Sequence, residues 1–114
     1  MKFSIRNNSA YPRKIFMQKL YIITVILEAK PGKELELKQA LMDVVEPHRR
    51  EKACLEYRLH QDLNNPAQFV IYARWTSEEE HDKELKKPYV IALLKRLDEE
   101  LLAKPLQAFS LEEL

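Results

Sequence analysis

"CLEYRLHQDLNNPAQFVIYARW", residues 54–75, decides the fold, because it holds two stretches of strand-like sequence separated by a turn. In the first, Leu55, Tyr57 and Leu59 alternate with Glu56, Arg58 and His60, the period of a strand with one buried face. "LNNP", residues 63–66, consists mostly of turn formers, and "FVIYARW", residues 69–75, is β-branched and aromatic. The spacing predicts an antiparallel hairpin with a longer loop.

Working outward, "LYIITVILEA" (residues 20–29) is a β-branched strand, closed by a turn at Lys30-Pro31-Gly32. From Lys33 to about Arg50 the residues Leu37, Leu41, Val44 and Val45, with Ala40 between them, form the apolar stripe of an amphipathic helix. Pro47 is expected to bend or end that helix near Glu46. Beyond the hairpin, Ser77-Glu78-Glu79-Glu80 fits a capping box and starts a short helix that ends before Pro88. A second helix begins at that proline and carries Val90, Leu93, Leu94, Leu97 and Leu101 inward until Lys104-Pro105. "LQAFSL", residues 106–111, makes a last strand.

The order βαββααβ is that of an α+β ferredoxin-like sandwich with an antiparallel sheet. Helices in such a layout cover one face of the sheet. Yet "YIITVIL" and "FVIY" are apolar on both faces, as strands are when both sides are covered. A second copy is the economical cover, so a homodimer closed through the open sheet face is expected, a dimeric α/β-barrel assembly.

At 114 residues, 46% hydrophobic and 32% charged, the chain has the size and composition of one ordinary globular domain, expected over residues 20–114. Residues 1–19 show no strand or helix period and read as a flexible extension, with Met17 an alternative start to Met1. The formal charge of +1 is uneven: Lys2, Arg6, Arg13, Lys14 and Lys19 precede the first acidic residue, Glu28. The body that follows is net acidic and a poor match to nucleic acid. No apolar run approaches the ~20 residues that span a bilayer. The single cysteine, Cys54, cannot form an internal disulfide, and no Cys/His spacing supplies a zinc site. A cytoplasmic protein without nucleic-acid or membrane partners is expected.

Cys54-Leu55 with Tyr57, the Asp62–Pro66 turn, Phe69, Tyr72, Trp75 and the prolines Pro88 and Pro105 together resemble the antibiotic biosynthesis monooxygenase (ABM) domain over about residues 20–111. That family consists of small dimeric ferredoxin-like proteins and includes cofactor-independent quinol monooxygenases. The resemblance implies oxidation of a small quinol or phenolic aromatic by O2, with no metal, flavin or other cofactor. Four positions depart from the family pattern. Ala53 stands where a glycine is common, Ala73 where a glutamate is common, and Glu84 and Tyr89 align with two family histidines.

Such chemistry needs an apolar pocket, a base, and hydrogen bonds to the developing anion. The candidate catalytic residues are Glu84, whose basicity burial near aromatics would raise, Trp75 as an aromatic wall, and His60 as a proton shuttle. Tyr57, Tyr72, Arg74 and Tyr89 are the candidate substrate-binding residues. His81 has the same titration range as His60, but lies in a run of acids that reads as surface. His48 reads as a helix-end histidine complementing the dipole, and Cys54 as a small buried hydrophobe. Two other functions fit the same shape: isomerase-like processing of a small quorum-sensing carbohydrate signal, and a non-catalytic dimeric ligand-binding or stress-response module. Haem degradation does not fit, since "LYIITVILEA" has no asparagine and "YVIALLKRLDEELL" has no histidine.

Overall fold

The computed structural model describes residues 20–114, and the extension expected over residues 1–19 lies outside them. Four strands, β1 (Tyr21–Glu28), β2 (Cys54–Gln61), β3 (Gln68–Trp75) and β4 (Gln107–Leu111), form one sheet in the order β2-β3-β1-β4. Every pairing is antiparallel. The helices are α1 (Glu34–Met42), α2 (Val45–Arg49), α3 (Glu78–Glu84) and α4 (Pro88–Arg96), the last continued by a wider π turn over Leu97–Leu101. This is the ferredoxin-like α+β sandwich. Among the described residues no helix is long and apolar enough to cross a membrane.

The alternation of β1 and β3 sorts the chain into a helix-covered face and an outer one. Ile23, Leu27, Phe69, Ile71, Ala73 and Trp75 enter the core with Leu37, Leu41, Leu97 and Leu101 from the helical segments. After β1, the Lys33 amide donates to the Lys30 carbonyl at 2.9 Å, closing a turn on Pro31 and Gly32. Gly32 adopts φ +86°, which a residue with a Cβ rarely does, so Pro-Gly is the pair this turn needs.

Two local expectations are corrected. Pro47 does not end the helix. The chain breaks earlier, after Met42, and α2 starts at Val45, so Pro47 falls in a first turn, where its missing N–H has no intrahelical acceptor to lose. The break turns His48 inward, and it is 7% exposed. The alternation of β2 also slips: Cys54 pairs with Trp75 and Glu56 with Arg74, leaving Leu55 as the extra residue of a bulge. Cys54 thus joins Tyr57 in the core, while Leu55 is 53% exposed.

At the start of α3, Ser77 Oγ accepts from the Glu80 amide at 3.2 Å, as the capping box predicts. The carboxylate of Glu80 instead takes the Lys83 ammonium at 2.9 Å. Pro88 occupies the first turn of α4, and Val90, Leu97 and Leu101 are buried. Leu94 of the predicted inward stripe stays partly in solvent, at the mouth of the cavity described next.

Candidate active site

Between the sheet and helices α3 and α4 lies a cavity of about 280 Å³. Its floor is Ile23, Val25, Ile71, Ala73 and Trp75 from the sheet, and Leu85, Val90 and Leu94 help to close it from the helices. Besides the Trp75 indole, three side chains with polar atoms enter this apolar lining: His48, His81 and Tyr57.

His48 comes from α2. Its Nδ1 lies 2.7 Å from the Val44 carbonyl, and a carbonyl only accepts, so Nδ1 carries the hydrogen. In the neutral ring the lone pair is therefore on Nε2. One face of the imidazole stacks on Tyr57, with ring centroids 4.2 Å apart, and its edges meet Trp75 at 6.1 Å and Tyr89 at 5.6 Å. Burial lowers the His48 pKa from its ordinary 6.5, outweighing the bond to Val44 and the carboxylates of Glu84 and Glu51, so the ring is neutral near pH 7.

His48 Nε2 faces the Glu84 carboxylate at 3.9 Å. Glu84 closes α3 and is only 3% exposed. Tyr89 donates its hydroxyl hydrogen to Glu84 Oε2, and Lys87 lies 3.2 Å from Oε1 while also pairing with Glu51. The buried charge thus has both a hydrogen bond and a counter-ion, as such a group requires. Burial, and then the bond to Glu84, hold the Tyr89 hydroxyl protonated well above its ordinary range; burial does the same for Tyr57.

The structure brings Glu84, Trp75, Tyr57 and Tyr89 together around this corner. It does not bring His60, Tyr72 and Arg74 there. These three occupy alternate positions on the outer face, where His60 Nδ1 lies 3.1 Å from the Val70 carbonyl and Arg74 pairs with Glu113 at 2.7 Å. Their registers, Arg58↔Tyr72, His60↔Val70 and Glu56↔Arg74, put them one strand step out of phase with Tyr57 and Trp75. Cys54 is buried, and desolvation raises its thiol to about 11, so it is no nucleophile at neutral pH.

His48, read from sequence as a helix-end residue, and His81, read as a surface group, both had an inward signal. His48 continues the three-and-four spacing of Leu41 and Val44, and His81 stands one turn before Leu85. The charged neighbours of both obscured it.

A four-stranded antiparallel sheet with helices on one face defines a ferredoxin-like α+β sandwich, here with a small cavity beneath the helices. The sequence model of the antibiotic biosynthesis monooxygenase family matches residues 20–96, and the chain belongs to that family. It is similar in structure to PA3566 from Pseudomonas aeruginosa, with a TM-score of 0.79 and 26% identity over 86% of this chain and 97% of that one. Rv0793 from Mycobacterium tuberculosis superposes with a TM-score of 0.78 at 21% identity, covering 83% and 95%. A structure described as an antibiotic biosynthesis monooxygenase gives 0.77 at 18%, covering 82% and 98%. No curated protein sequence matches the chain.

Proposed function

We propose that the chain is a cofactor-independent monooxygenase that oxidises a small phenol or quinol with dioxygen in the cavity beside Trp75. The observation that carries this reading is His48: a neutral imidazole with its bare nitrogen fixed as Nε2, set in an apolar cavity wall next to a buried carboxylate. Nε2 takes the phenolic proton, and Glu84 stabilises the imidazolium that results, with Tyr89 fixing the carboxylate. In apolar surroundings the phenolate is poorly solvated and electron-rich. It passes one electron to O2, the two radicals join through a C–O bond at a ring carbon bearing hydrogen, and the peroxide collapses. One oxygen atom stays as a ring carbonyl and the other leaves as water, so the substrate supplies every electron.

The cavity lies at the small end of the ~300–1,000 Å³ usual for ligand sites, which favours one or two fused rings. Its lining suits a flat aromatic better than a carbohydrate. Oxygen uptake with dihydroxynaphthalenes, benzoquinols and anthrones, corrected for autoxidation, tests the reading. Uptake by the wild type that collapses in His48→Gln and slows in Trp75→Ala supports it. Uptake equal to autoxidation from folded protein rejects it in favour of a binding module.

The same proposal includes a homodimer through the outer sheet face, and residence in the cytoplasm, where a lone unpaired Cys54 fits. Ile26, Val70 and Tyr72 are only partly covered on that face, and Phe109 and Leu111 of β4 are 47% and 45% exposed. Sedimentation of the wild type as a dimer and of Val70→Lys as a monomer is the expected result.

A further inference from the structure

His81 enters the cavity from α3, with its ring centroid 5.1 Å from that of Tyr21 and 5.4 Å from that of Trp75. Among the described residues, its Nδ1 is a buried side-chain nitrogen with no hydrogen-bond partner. Such atoms are uncommon, because a polar group removed from water without a partner destabilises the fold. His48 differs, since its Nδ1 is held by the Val44 carbonyl. A second imidazole in an apolar wall with no protein partner is accounted for when a guest supplies one.

We infer that His81 is a specificity-determining residue of this cavity, forming a hydrogen bond to a second ring hydroxyl, so that dihydroxylated aromatics are preferred over monohydric phenols. The inference rests on the cavity being the ligand site and deepens that reading. A hydroxyl group both donates and accepts, so it satisfies Nδ1 whichever ring nitrogen carries the hydrogen. The terminal histidine torsion is broad, and a turn about it brings the nitrogen against a guest without moving α3. Burial also lowers the His81 pKa from 6.5, which keeps the ring neutral and able to use either role.

The test is anaerobic calorimetry with 1,4-dihydroxynaphthalene and 1-naphthol on the wild type, His81→Phe and His81→Gln. Excluding oxygen separates binding from oxidation, and quenching of Trp75, the single tryptophan, reports occupation of the cavity. The wild type is expected to prefer the diol. His81→Phe, which keeps a ring in place, weakens diol binding about three- to tenfold, as for loss of one hydrogen bond, and leaves 1-naphthol unchanged. His81→Gln retains part of the preference. Equal diol affinity in wild type and His81→Phe overturns the inference while leaving the cavity reading intact. Failure of the wild type to bind either compound overturns both. A diol preference that His81→Phe abolishes, in a protein without oxygen uptake, supports the role of His81 and rejects the oxygenase.

Discussion

His48 Nε2 and the Glu84 carboxylate lie 3.9 Å apart with almost no access to water, one delivered by α2 and the other by the end of α3. The His48 imidazole, from a different helix, packs against both Glu84 and Tyr89, the positions where the sequence resemblance implies histidines. A neutral histidine next to a fixed carboxylate is a base and orienter, whichever element supplies the ring.

His48→Gln removes the proposed base and keeps a side chain of similar reach. Oxygen uptake with the best diol substrate is expected to fall about 10²- to 10⁴-fold, the range for loss of a positioned general base. Melting temperature checks that the fold survives. A fall below tenfold would transfer the role of base to another group.

Glu84→Leu leaves the Tyr89 hydroxyl without its acceptor, while Lys87 keeps Glu51. The orphaned hydroxyl is expected to cost about 1–3 kcal/mol in urea unfolding. In a Tyr89→Phe background the same substitution costs less, since the donor is gone, and the cycle measures the coupling. Additive costs would mean that the two side chains do not act as one unit.

The sheet was legible in the sequence because β-branched and aromatic residues mark β1 and β3, whose register with each other runs unbroken from Tyr21↔Trp75 to Glu28↔Gln68. Of the candidate residues at this corner, Trp75 and Tyr57 were marked by aromatic size, and Glu84 and Tyr89 by the family resemblance. His48 and His81 were hidden because charge in the neighbouring sequence says nothing about which way a single helical position faces. His60, Tyr72 and Arg74 were candidates for their side-chain chemistry, yet strand alternation sends each to the outer face. The bulge at Leu55 left no mark in the letters, because its alternation is complete until Cys54 meets Trp75.

The bulge makes Leu55 and Tyr57, which the sequence alternation places on one face, unequal. Leu55→Ser is expected to change unfolding free energy by no more than about 0.5 kcal/mol, as for an exposed site. Tyr57→Ala, which empties a buried aromatic position against His48, is expected to cost about 3–5 kcal/mol. Similar losses from both would restore Leu55 to the core.

Cys54 gives a separate reading of the same strand end. With its thiol raised to about 11 by burial, very little thiolate exists at pH 8. Modification by iodoacetamide is expected to be slow in the native protein and fast in urea. Fast native labelling would place the thiol in solvent.

The two cavity imidazoles, His48 buried and His81 partly buried, also set an acid limit to stability. Desolvation lowers both His48 and His81 from 6.5. Around His48, Glu84 and Glu51 pull the value up and Lys87 pushes it down; around His81, Asp82, Glu84 and Glu78 pull up and His48 pushes down. Burial is the largest cause for both, so below 6.5 the unfolded chain takes up protons that the folded chain refuses. Stability then rises with pH, because the unfolded state binds more protons. The contribution is complete above the unfolded value and is lost as pH falls toward and through the lower folded values. The melting temperature of the wild type should therefore fall more between pH 7.5 and about 5 than that of the double variant His48→Gln, His81→Phe, which has neither titrating ring. Equal falls would assign the acid sensitivity to carboxylates instead, with Glu84 the first to test by substitution to glutamine.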